Sequence, residues 1–216
     1  MVSRTSSGPS GIPSLPRSPI LSSPDAALAG GLQSSPVARR PSTWMRFNWQ
    51  TGNLSTFALI PATDLIRPAT QEEAEQVLQV LLLSLAMDSG WNDSVAKVEE
   101  YLKNSVKRLF NADEPLCLVI PKGNRLIAAS LLDPDAGSPC QLVSGPSVLM
   151  EYRNRGIGSR LLHESLLTLR DRGLSSVSGF TKPNSVAARH VYPKFGGIGE
   201  TCEFSLVTAP QREAKS

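Results

Sequence analysis

Between residues 153 and 160 the chain reads Arg153-Asn154-Arg155-Gly156-Ile157-Gly158-Ser159-Arg160, with the glycines at the mouth of an apolar-periodic stretch. Glycine lets backbone approach a ligand closely, and the first N–H groups of a helix have no partner within it. Together they favour a bound anion, and a pyrophosphate is the natural occupant. Arg153 and Arg155 can add charge-assisted contacts to its oxygens. Arg153, Asn154, Arg155, Gly156, Ile157, Gly158 and Ser159 are therefore candidate cofactor-binding residues. Two other phosphate motifs do not fit. A dinucleotide fingerprint wants a third glycine where Leu161 stands, and no GxxxxGK[ST] loop occurs.

The surrounding pattern supplies the elements that must hold this junction. Arg67-Pro68 suits an extended passage, and Thr70 with Glu73 stands at capping-box spacing. Ala74, Val77, Leu78, Leu81, Leu82 and Leu85 then recur at helical period, with Gly90 marking the helix end. Asp93 or Ser94 caps a second helix striped by Val95, Val98, Leu102, Val106, Leu109 and Phe110. Residues 116–120 and 126–129 are apolar runs joined through Gly123-Asn124, a hairpin signal. Residues 141–150 form a third run, broken by Gly145-Pro146, where a missing ladder donor predicts a splay or bulge. A third helix over residues 157–172 ends at Gly173. A strand at 177–180, a helix at 185–195 and a strand at 203–207 complete the order β, α, α, β, β, β, α, β, α, β.

With that order, the chain resembles the GNAT superfamily of acyl-CoA-dependent N-acetyltransferases from about Leu65 to Val207. Arg153, Gly156 and Gly158 match its R/Q-x-x-G-x-G/A signature at a strand-to-helix junction. A second landmark is Asn184-Ser185-Val186-Ala187-Ala188 followed by Tyr192-Pro193-Lys194-Phe195-Gly196. The resemblance implies an α/β (α+β) fold with a mixed, mostly antiparallel central sheet and helices on both faces. It implies transfer of an acetyl group from acetyl-CoA to a primary amine. Val148, Leu149 and Met150 would offer backbone groups to the pantetheine arm, and Asn184 and Ala187 would lie along it. Tyr192 would be the catalytic acid that protonates the departing thiolate. As structural alternatives, Asn184 caps a helix and Tyr192 fills a core. The interval from Asn184 to Tyr192 is one residue longer than is usual. Gly196-Gly197 replaces the usual Gly-Phe, and one clear strand follows where the family often has two.

An alkyl amine of pKa ~10.4 is mostly protonated near neutrality, so freeing its lone pair costs about 4 kcal/mol and calls for a base or water relay. No carboxylate lies between Gln141 and Met150. Glu151, Asp88, Asp93 and Glu203 are the nearby acids, and the base stays unassigned. In this architecture the first two helices and their connection, with Met87, Asp88, Trp91 and Asn92, would wall the acceptor side. His163 reads as a surface residue of the third helix and His190 as structural. An alternative is a non-catalytic acyl-CoA-binding or partner-binding module of the same fold.

Composition bounds the rest. Hydrophobic residues at 40% and charged residues at 19% are those of a globular domain. The net charge of +3 is too dispersed for a nucleic-acid partner, and no apolar run approaches the ~20 residues that span a bilayer. Cys117, Cys140 and Cys202 have no CxxC pairing, so no metal is assigned. Residues 1–55 read as a disordered Ser- and Pro-rich extension, 56–208 as the N-acetyltransferase domain and 209–216 as a disordered tail. The reading is cytoplasmic, with organelle import a minor alternative. Acetyl-CoA and an amine are the expected partners, with a homodimer as one assembly the resemblance allows.

Overall fold

A computed structural model of the chain describes residues 43–54, 65–112 and 114–204. Its sheets are built from β1 Trp44–Gln50, β2 Arg67–Pro68, β3 Cys117–Lys122, β4 Arg125–Leu131, β5 Ser147–Val148, β6 Ser176–Thr181 and β7 Ile198–Cys202. The helices are α1 Ala74–Ala86, α2 Val95–Phe110 and α3 Ile157–Asp171. One sheet runs β2-β3-β4-β5 and the other β6-β1-β7, with every pairing between strands antiparallel. Leu142 links the two by a single parallel bridge to Gly179 and an antiparallel one to Leu132. Leu161, Leu162, Leu166 and Leu169 of α3 pack with Phe47, Trp49, Ile120 and Ile127 on one side. Val77, Leu81, Leu85, Val98 and Leu102 of α1 and α2 pack with Trp44, Val119 and Ala129 on the other. Helices on both faces of a mixed, mostly antiparallel sheet are what the sequence predicts.

The largest correction concerns residues 44–50, which the composition places in a disordered extension. They form β1, flanked on both sides by β6 and β7 in the three-stranded sheet. Trp44, Phe47 and Trp49 are all buried, because a central strand is covered on both faces. The domain therefore begins before residue 56, and the N-terminal side supplies the central strand of this sheet. Trp49 also accounts for Gly197: a Cβ there would lie 2.6 Å from the Trp49 Nε1 and 2.7 Å from the Tyr192 carbonyl oxygen. The last strand among the described residues is Ile198–Cys202; of the strand expected at 203–207, residues 205–207 lie outside the described residues, as do 1–42 and 209–216. Its Gly199 faces Phe47, where a Cβ would come within 2.9 Å of the ring. An aromatic on the central strand sets a small residue opposite it.

Two local readings shift. The first helix stops at Ala86, and Gly90 sits in a short 3-10 turn, Ser89–Trp91. A Cβ on Gly90 would meet the Ser185 backbone at 3.0 Å, so glycine lets this connection close on the segment before Tyr192. His163 is buried against Phe195 with ring centroids 5.4 Å apart, not on the surface.

The capping box forms as the spacing predicts. The Glu73 carboxylate accepts from the Thr70 amide at 2.9 Å and from both Arg67 terminal nitrogens at 2.7 Å. The Arg67 hydrogen bonds, against the opposing cost of burial, hold the carboxyl down to about 2. A depressed carboxyl adds stability above its unfolded pKa of ~4.3 and loses it as pH falls toward the folded value. Glu73→Gln should therefore cost about 1 kcal/mol, a melting drop of roughly 2–4 °C at neutral pH. Melting curves at descending pH should show the gap between parent and variant narrowing below pH ~4.

Candidate active site

The site is set by how β5 parts from β6. Gln141 and Leu142 amides both donate to the Ser178 carbonyl at 3.0 Å, tying that end of the segment to β6. At Gly145 the backbone turns through a positive φ of 59°, and β5 thereafter pairs only with β4. A cleft of about 640 Å³ occupies the opening. That volume is in the range of small-molecule sites. Of the candidate site residues, Val148, Met150, Arg153, Asn154, Gly156, Gly158, Ser159, Ala187 and Tyr192 line it.

Gly156 caps α3 with φ 79°, and Asn154 takes the same left-handed region at 61°. These two turns open α3 beside the cleft, so that Gly156, Gly158 and Ser159 at its head line it. A Cβ on Gly158 would stand 3.7 Å from Val148 Cγ2, so alanine would fit there while a large side chain would fill the opening. Lys194 lines the cleft and donates to Ser159 Oγ at 3.2 Å. It puts a cation at the helix head that motif spacing did not single out.

Other candidates take different roles. The Arg153 guanidinium donates to the carbonyls of Val148 at 3.0 Å, Ser84 at 2.8 Å and Met87 at 3.3 Å. It braces the C-terminal end of α1 against β5, where carbonyl dipoles favour a cation. Ser84 Oγ accepts from the Val148 amide and donates to the Val148 carbonyl, both at 3.1 Å. The strand groups expected to meet a ligand are thus held by α1. The Leu149 amide donates to the Ile127 carbonyl at 3.0 Å, and Ile157 is buried in the core. Arg155 donates to the Glu151 carbonyl at 3.1 Å and stacks over Tyr152, 5.6 Å from the ring centroid, outside the cleft lining. Lys122 and Arg125 approach the same ring.

Asn184 is exposed and does not line the cleft; its carbonyl accepts from Arg189 at 2.6 Å. The capping role falls to Ser185, whose Oγ accepts from the Ala188 amide at 3.1 Å. The chain then makes a single π-helical turn, Ala187–Val191, and a 3-10 turn, Tyr192–Phe195. A π turn takes up one residue more than an α turn. The extra residue between Asn184 and Tyr192 is absorbed there, and Tyr192 stays in the cleft wall.

Tyr192 is buried, packed edge-on to Phe47 and Trp49 at 5.1 Å each. Burial pushes its phenol above the ordinary range, so it is protonated at neutral pH. A Cβ on Gly145 would fall 2.1 Å from its Oη. The hydroxyl thus sits at the bend where the strands part. Asp88 and Trp91 of the α1–α2 connection line the cleft, whereas Met87 and Asn92 do not. Trp44, Phe180 and Phe204 group with Trp91 in that lining, and Tyr101 lines the cleft as well.

These features define a mixed α/β domain whose ligand cleft is the splay of its own sheet, with a glycine-opened helix head at one end. The sequence model of the acetyltransferase (GNAT) family matches residues 82–197, over half of the chain, and the chain belongs to that family. Among solved structures, a Drosophila protein superposes with TM-score 0.52 at 15% identity, covering 75% of this chain and 50% of the other. A GCN5-related glucosamine N-acetyltransferase region of a fungal multi-domain beta-N-acetylglucosaminidase superposes with TM-score 0.51 at 12% identity, covering 74% of this chain and 20% of the other. A GNAT-family acetyltransferase from Colwellia psychrerythraea gives 0.48 at 16% identity, with 75% and 54% covered. The chain spans about half the length, or less, of these structures. At such identities the first two speak for the fold alone. No curated protein matches. Among the described residues no helix is long and apolar enough to cross a membrane, and no group of three acidic, histidine or cysteine side chains is placed to hold a metal.

Proposed function

We propose that the protein transfers an acetyl group from acetyl-CoA to a primary amine, with Tyr192 as the acid that protonates the departing sulfur. The observation that carries this reading is one continuous cleft. Its wall brings together Gly156, Gly158 and Ser159 of the helix head, Tyr192, and Asp88 and Trp91 of the α1–α2 connection. The α3 amides and Lys194 suit the pyrophosphate. Lys122 and Arg125 beside Tyr152 add a positive fringe that draws a polyanion in. The amine nitrogen forms a bond to the thioester carbonyl carbon as the carbon–sulfur bond breaks. The ammonium loses two protons in all: one replaces the proton that Tyr192 gives to sulfur, and one goes to solvent. Holding both reactants in one cleft supplies most of the rate.

One observation favours the alternative of a non-catalytic module: Ser84 Oγ already satisfies both backbone groups of Val148. For a thioester arm to pair with that strand, the Ser84 hydroxyl must rotate away. Turnover decides between the two, since only the enzyme releases free thiol from acetyl-CoA when amines are supplied.

Binding is tested by melting. CoA at a hundredfold excess over its Kd should stabilise the fold by about 2.7 kcal/mol, a rise of roughly 5 °C or more. Gly158→Trp should abolish the rise and Gly158→Ala should keep it. A melting temperature indifferent to millimolar CoA would remove the basis for both readings.

A further inference from the structure

Resting on the transferase reading, the aromatic-lined half of the cleft deepens it to the chemistry of the acceptor. From the walls around that half we infer that the acceptor is an arylalkylamine: a primary amine on a short aliphatic chain that ends in an aromatic ring.

Four aromatic rings from four parts of the chain meet there. Trp44 of β1 stands edge-on to Trp91 of the α1–α2 connection at 5.8 Å and to Phe204 at 5.5 Å. Phe204 stacks on Phe180 of β6 with centroids 3.7 Å apart. Tyr101 of α2 also lines this half, and burial pushes its phenol up so that it is neutral. Ring edges and faces presented together are the partners a further aromatic ring prefers, in offset-stacked or edge-on contact.

The charges decide against other amines. Asp88 is the one carboxylate among the described lining residues. It belongs to the same turn as Trp91, whose amide donates to the Asp88 carbonyl at 3.1 Å. Its Oδ1 accepts from the Gly90 amide at 3.0 Å, and a carboxylate has capacity for further donors. One ammonium therefore finds a partner. A polyamine's additional charges would find no second carboxylate among the described lining residues, and a sugar's hydroxyls would be stripped of water against the indole and phenyl rings. The rings do not form a cage for a bare cation either. Lys182, almost wholly buried, already places its Nζ 4.5 Å from the Trp44 ring centroid while paired with Asp93 at 2.9 Å. A second cation against Trp44 would face that charge, whereas a neutral ring would not. So the ammonium end goes to Asp88 and the ring to the aromatic wall.

The test uses the full chain, acetyl-CoA, and 2-phenylethylamine, spermidine and glucosamine as probes, with two independent readouts. Phenylethylamine should quench tryptophan emission saturably in the presence of CoA. It should also release thiol with a kcat/KM at least about tenfold above the other two amines, as expected when unpaired polar groups must enter an apolar pocket. Trp91→Leu should raise its KM about tenfold or more while leaving the KM for acetyl-CoA within about twofold, the signature of lost acceptor binding alone. Asp88→Asn should weaken phenylethylamine in the same direction and leave acetyl-CoA binding intact, which also reports that both variants are folded. Spermidine or glucosamine turned over as well as phenylethylamine would overturn the inference and leave the transferase reading standing. So would an absence of quenching by phenylethylamine. Saturable quenching without thiol release would support the pocket chemistry and sink the transferase reading instead.

Discussion

A chain shortened to begin at residue 56 should not fold. In the three-stranded sheet β6 and β7 each pair with β1 and not with one another, so its removal leaves two strands with no ladder between them. It also takes away Trp44, Phe47 and Trp49 and opens both core clusters at once. A buried large aromatic is worth about 3–5 kcal/mol on truncation to alanine, and three of them match the ~5–15 kcal/mol that separates a folded domain from its unfolded chain. Circular dichroism and thermal melting of the shortened chain should give no cooperative transition. Trp49→Ala in the full chain should fold with a loss of about 3–5 kcal/mol. A cooperative melt from the shortened chain would mean that β6 and β7 find another partner.

That strand is also where sequence reasoning fell short, for a physical reason. Met45, Phe47 and Trp49 alternate with Arg46, Asn48 and Gln50, which is a strand signal, although Trp44 is buried on the side opposite Trp49. It lies directly after a Ser- and Pro-rich stretch, which drew the boundary past it. The elements that repeat a period over several turns were legible: α1 with its capping box, α2, and α3 with Gly173. The hairpin through Gly123, with φ 59°, was legible from its turn. The final strand was not, because Ile198–Cys202 is an edge strand facing mostly outward and its glycines answer aromatics elsewhere.

For the site, motif spacing found the helix head but could not tell which donors remain available. Arg153 matches the motif letter yet gives its hydrogen bonds to α1 and β5, a use that only the tertiary packing decides. Ser84, Lys194 and Trp44 reach the cleft from helix, turn and strand positions with no fixed spacing to the motif. The π turn before Tyr192 reconciles an interval that looked one residue too long. Its sequence signal was that very excess, since an extra residue in a helix either shifts the register or is taken up as a π bulge.

Tyr192→Phe should lower kcat by about 10²-fold with little change in acetyl-CoA binding, because a positioned proton donor contributes on the order of 10²–10⁴. The phenol is buried and raised in pKa, so it holds its proton through the neutral and mildly alkaline range. Any alkaline loss of kcat below pH ~10 therefore belongs to another group, and the wild-type profile should not break there on account of Tyr192. Gly145→Ala offers an independent route to the same hydroxyl. Its Cβ would fall 2.1 Å from Tyr192 Oη but 3.3 Å from Cζ, so most of the conflict is with the oxygen. Alanine also pays for the left-handed φ, a cost of order 1 kcal/mol that is the same in either background. Gly145→Ala should thus cost kcat heavily in the parent and much less in Tyr192→Phe, where no oxygen stands in the way. Steady-state kinetics on the two single variants and the double variant measure that coupling directly. Additive losses would mean that the hydroxyl packs the bend between the strands without touching the chemistry.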